Sequence, residues 1–161
     1  MHQVDPARAM LRQTLATLAY RGAKALRGAP EGFAGLRVGD RSRTPGEILA
    51  HMGDLLDWAV GLAKGEHNWH DSPPLDWDQG TERFFAALET FGALLESDLP
   101  LECSPEKLFQ GPIADALTHV GQISMLRRLA GAPVLGENYF VAPIADGRLG
   151  LDQAAAVKEF D

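Results

Sequence analysis

The chain has 161 residues, 45% of them apolar, and a formal net charge of −7. That length and apolar share suffice for one domain, 1–161, with its own core, while the acidic balance argues against a nucleic-acid groove or an anionic membrane surface as partner. No apolar run approaches the roughly 20 residues of a bilayer-spanning helix, "MHQVDPARAM" lacks the layout of a secretory signal, and the single cysteine, Cys103, excludes an internal disulfide framework and fits a cytoplasmic protein.

Asp5-Pro6 supplies an N-cap and a proline at the first helical position, which predicts a helix over about 5–27 with Leu11, Leu15, Leu18 and Ala19 as its apolar stripe. A Gly/Pro-rich link follows. Thr44, Pro45 and Glu47 form a capping box that opens a second helix, about 45–64. Its stripe is Ile48, Met52, Leu55, Trp58, Ala59 and Leu62, and Gly65 stops it. Glu47, Asp54 and Asp57 are expected on its outer face. "EHNWHDSPPLDWDQG" has the composition of a loop.

A third helix, about 81–97, carries Phe84, Leu88, Phe91 and Leu95 on one side. Ser104-Pro105 starts a short helical turn. Cys103 stands beside it, where a helix start can lower a thiol's pKa, but a lone inert thiol is the expectation. The fourth helix runs over about 112–130, with Gly131 as its stop and Pro133 just beyond. In the tail, 133–161, periodicity is lost. Asp146-Gly147 suits a tight turn between two short extended pieces, and Tyr139 and Phe140 either cross the mouth of a site or brace the body. Four amphipathic helices of similar length predict an all-α, four-helix bundle with an irregular C-terminal tail.

"PIADALTHVGQISMLRRLAGAP" places Asp115, His119 and Gln122 on one face of the last helix. Leu126, Leu129 and Ala130 continue the same sector, while Arg127 and Arg128 point elsewhere. On the second helix His51 lies inside the apolar stripe, three residues after Ile48 and four before Leu55. Two imidazoles and a carboxylate aimed at an interior need partners, because unpaired burial costs several kcal/mol. A divalent cation is the economical one: His51, Asp115 and His119 make an N2O set with open positions. The plainer alternative is a histidine bonded to a carbonyl, with Asp115 paired to His119. Gln122 either orients a ligand from the next turn or ties helices together. His67 and His70 read as solvated loop residues, and Trp58, Trp69 and Trp77 as pocket walls or core.

"THVGQISMLRRLAGAP" resembles the closing signature of the DinB-like (DinB/YfiT) superfamily, and "TPGEILAHMGDLLDW" resembles its second-helix segment. The similarity runs from the first helix to Gly131. In that family a last-helix histidine two residues before Gly-Gln ends an H-x-x-x-H pair, and one histidine of the second helix completes a metal triad. The resemblance assigns His51 and His119 to two of those positions. The third is Asp115 rather than histidine, which shifts preference among Zn, Ni, Fe and Mn toward the harder ions.

The function implied by the resemblance is that of a metal-dependent enzyme, a hydrolase or thiol-dependent transferase, acting on a small molecule such as a low-molecular-weight thiol. Bundles of this type pair through helix faces, so a homodimer is expected. The alternative is a non-catalytic helical binding or dimerisation module with a structural polar cluster.

Overall fold

The computed structural model describes residues 5–161; His2 and the start of the sequence around it lie outside the described residues. The protein is mainly helical. Four long helices, α1 (Pro6–Leu26), α2 (Pro45–Ala63), α3 (Trp77–Glu96) and α5 (Ala114–Leu129), enclose the core, and a short α4 (Pro105–Leu108) precedes the last of them. Both α1 and α2 pack on α3 and on α5, and the α2–α3 interface is the most extensive. Leu15, Leu18, Met52, Leu56, Phe84, Leu88, Phe91 and Ile123 meet in the middle, fully buried, each contributing about 1.5–3 kcal/mol of apolar transfer energy.

The caps follow the sequence. Asp5 accepts from the Ala7 N–H at the start of α1. Thr44 and Glu47 cap α2 reciprocally, Glu47 N–H to Thr44 Oγ1 at 3.2 Å and Thr44 N–H to Glu47 Oε2 at 2.7 Å, which satisfies two donors that the first turn leaves free. No helix is long and apolar enough to cross a membrane, among the described residues.

Two boundaries differ from the expectation. α3 begins at Trp77, four residues early. Gly80, which reads as loop punctuation, is helical and lies so close to α2 that a Cβ would stand 3.0 Å from Leu49 Cδ2. The glycine permits the close approach of two helices rather than ending one. The fourth helix does not begin at Pro112: α4, a π-helical stretch (Phe109–Ile113) and α5 follow one another without a break. Pro112 lacks an N–H and its ring would strike the carbonyl one turn back, and the wider π turn relieves both problems. One extra residue in a turn rotates everything after it by about 100°, so the proline sets which face of α5 meets α2.

Arg127 also departs from its expected place. It does not point outward; it is 5% exposed and donates to the carbonyls of Ala25, Arg27, Gly28 and Ala132. These belong to the C-terminal end of α1 and the chain just after α5, where carbonyls lack partners and a cation is favoured. Leu129, expected inside, is 61% exposed, because the inward sector at the end of α5 is taken by Leu126 and Arg127.

The tail braces the body. Its two short strands, β1 (Gly136–Glu137) and β2 (Glu159–Phe160), pair antiparallel, so the extended pieces lie at the two ends of the tail rather than beside the Asp146–Gly147 turn. Buried Glu137 accepts from the Tyr20 hydroxyl at 2.6 Å and from Lys24 Nζ at 2.7 Å; burial and that carboxylate push the Tyr20 hydroxyl above the phenol range. Tyr139 stacks edge-on against Tyr20, while Phe140 is 96% exposed. Both anchors are on α1.

Candidate metal centre

The first helical turns after the π stretch and the second turn of α2 bring the three sequence-selected groups together. Ligand atoms of His51, Asp115 and His119 all lie within 4.8 Å of one another. Asp115 sits between the imidazoles: Oδ2 is 3.3 Å from His51 Nε2 and Oδ1 is 3.2 Å from His119 Nδ1. The two rings are 4.8 Å apart, centre to centre. Two ligands held near 2 Å from a tetrahedral ion are themselves about 3.3 Å apart, which is the separation His51 and Asp115 already show. The donor set of two nitrogens and one oxygen suits Zn, Ni, Fe or Mn.

The protonation states suit it too. His119 Nδ1 stands 2.8 Å from the Asp115 backbone carbonyl, an oxygen that can only accept. Nδ1 therefore carries the proton, and the lone pair of neutral His119 is on Nε2. Burial, followed by the nearby Arg43 charge, lowers the pKa of His51 despite the opposing Asp115. His51 is thus held in its neutral form. Asp115 is half-buried and open to the outside on one edge.

Aromatic side chains close one flank. Trp69, from the loop between α2 and α3, meets the His51 ring edge-on at 5.5 Å and the Trp58 ring at 5.6 Å. Trp77 does not join them; it packs on Phe33 and donates to the Leu26 carbonyl. Gln122 is exposed, hydrogen-bonds none of the three candidate ligands, and lines a cleft of about 730 Å³ beside His119.

A second cluster, Asp54, Asp57 and His70, also groups three ligating side chains. Asp54 does not face outward: it is 2% exposed. Ser72 donates to it through N–H at 2.8 Å and through Oγ at 2.6 Å, and Arg83 through NH2 at 2.6 Å. Arg83 also reaches Asp57 at 2.8 Å and the Ala50 carbonyl at 3.1 Å. His70, far from being merely solvated, has Nε2 3.1 Å from Asp54. A guanidinium thus already fills the place a metal would take. Gly53 makes room for it, since a Cβ there would stand 2.8 Å from Arg83 NH1.

Trp69 was missed as a specific contact by sequence reasoning, as was the Asp54 anchor that holds its loop. The only signal was an acid in the apolar part of α2, three residues after His51. Cys103 is half-buried, and burial raises its thiol pKa, which leaves it a poor nucleophile. Comparisons with protein-family models, with curated proteins and with solved structures find no match for the chain.

Proposed function

We propose that the protein is a DinB-like four-helix bundle that holds a divalent metal ion between α2 and α5 through His51, Asp115 and His119, and that it acts as a metal-dependent hydrolase or thiol-dependent transferase. The observation that carries the reading is the Asp115 carboxylate between two imidazoles, with no cationic side chain bonded to it among the described residues. A divalent ion bound there supplies Lewis-acid activation of a water or thiol near neutral pH.

The residues divide the work. His119 keeps its proton on Nδ1, fixed by the Asp115 carbonyl, and offers Nε2. His51 faces Asp115 through Nε2, so ligating by that nitrogen requires its proton to sit on Nδ1. Asp115 contributes one oxygen and its charge. Trp58 and Trp69 exclude water from the flank of His51, which strengthens electrostatic interactions inside. The open side, along the cleft past His119, is where a substrate approaches.

One observation favours a second reading. His51 Nε2 already hydrogen-bonds the Asp115 carboxylate and His119 Nδ1 the Asp115 carbonyl, so a non-catalytic bundle would also satisfy these groups. The two readings separate on elemental analysis of protein purified without an affinity tag and reconstituted with Zn, Ni, Fe and Mn. Near-stoichiometric metal in the wild type, lost in His51→Ala, is expected; no retained metal with any of the four ions contradicts the proposal and leaves the module.

A further inference from the structure

The cleft beside His119 has a lining that the metal ligands do not explain. One wall is the chain leading into α2, with Val38, Ser42 and Arg43; the other is the outer face of α5, with Gln122, Met125 and Leu129. Val38 is 52% exposed, Met125 55% and Leu129 61%. A solvated helix face would carry polar groups at the α5 positions, and clustered exposed apolar side chains next to a polar site mark a place where something binds. The volume, about 730 Å³, lies within the usual range for small-molecule sites.

Charge narrows the occupant. Arg43 lines this cleft and makes no ion pair with a carboxylate among the described residues, although the chain is acidic overall. Its neighbour Arg37, by contrast, is paired with Glu47. A planar guanidinium with free N–H groups matches a carboxylate, and the exposed Gln122 amide offers a further donor nearby. A divalent ion held by His51, Asp115 and His119 would also place positive charge behind the His119 end of the cleft.

We propose that this cleft binds a small molecule with an apolar body and a carboxylate, the carboxylate held by Arg43 and the apolar part lying between Val38 and the Met125–Leu129 face, with its far end at His119. The inference deepens the metal-site reading and rests on it for the role of the His119 end. Gly121 lines the cleft, and a Cβ there would meet nothing within 4 Å. A larger side chain at that position would fill the space without removing a ligand.

The test is calorimetric titration of the zinc-reconstituted protein with phenylbutyrate and with phenylbutanol, which share a carbon skeleton and differ in charge. The acid should bind at least about tenfold tighter than the alcohol. Arg43→Gln should bring the two to parity, Arg43→Lys should keep most of the preference, and Gly121→Leu should weaken both. Equal binding of the two probes, a preference that survives Arg43→Gln, or no saturable binding of either overturns the proposal. Dimerisation abolished by Leu129→Glu, with neither probe bound, would assign the face to a second copy instead. Zinc measured in the same samples keeps the two readings apart. Protein that holds no zinc but prefers the acid through Arg43 refutes the metal site alone, and zinc-loaded protein without the preference refutes the cleft.

Discussion

His51 and Asp54 are one turn apart on α2, yet the groups around them are balanced in opposite ways. Around Asp54, two carboxylates meet an arginine that donates to both of them, with a serine and a histidine filling the remaining positions. Around His51, a single carboxylate stands between two imidazoles and, among the described residues, no guanidinium or ammonium bonds to it. Geometry alone would nominate both clusters for a metal, because each brings three ligand atoms within the same reach. The supply of positive charge separates them. One cluster carries its own cation and uses it to fix a loop, and the other has a place for a cation from outside.

The largest effect should come from breaking the self-sufficient cluster. Arg83→Ala leaves Asp54 buried without its cation and should cost about 3 kcal/mol of unfolding free energy, read by urea denaturation. His51→Ala in metal-free protein should cost markedly less, since Asp115 is half-exposed and keeps His119. Equal losses would erase the distinction. Gly53→Ala attacks the same cluster by crowding Arg83 NH1 and should cost about 1–2 kcal/mol, against a gain of up to about 1 kcal/mol for an alanine at Gly121, a helical position with room.

Acid sharpens the contrast. Burial alone would raise the Asp54 pKa, yet the Ser72 and Arg83 contacts outweigh it and hold the carboxyl below its ordinary value. A carboxylate depressed in the folded state contributes stability that is complete above its unfolded pKa and fades as pH falls through the folded one. Unfolding free energy should therefore decline below about pH 4, and Asp54→Asn should flatten that decline. Matching acid slopes in the two proteins would contradict the role given to Asp54. The smallest effect on the fold is expected from Trp69→Ala, which should leave unfolding free energy within about 1 kcal/mol while weakening metal affinity about tenfold, measured by chelator competition. Unchanged affinity would remove Trp69 from the site.

What was legible in the sequence is what local chemistry decides. The caps at Asp5 and at Thr44 with Glu47 are satisfied within a turn, and the stripe that contains His51 needs only helical periodicity. Asp115 and His119 were legible for the same reason, as neighbours on one helix face. The illegible parts depend on partners far along the chain. Asp54 reads as a surface acid until Arg83, from α3, lies over Gly53. Arg127 reads as solvated until the carbonyls ending α1 arrive beneath it. Trp69 belongs to a loop without periodicity, and the contacts of Ser72 and His70 with Asp54 decide where that loop rests. Pro112 reads as a helix start, but a π turn absorbs it, and the helix runs through it from α4 into α5.

The central claim, that the His51 cluster takes a divalent ion and the Asp54 cluster does not, is tested most directly by titrating metal-free protein with Co(II) and following its visible absorption. One equivalent should bind, lost in His51→Ala and in His119→Ala, and retained in His70→Ala. No bound cobalt in the wild type, or binding that survives His51→Ala and disappears in His70→Ala, would contradict it.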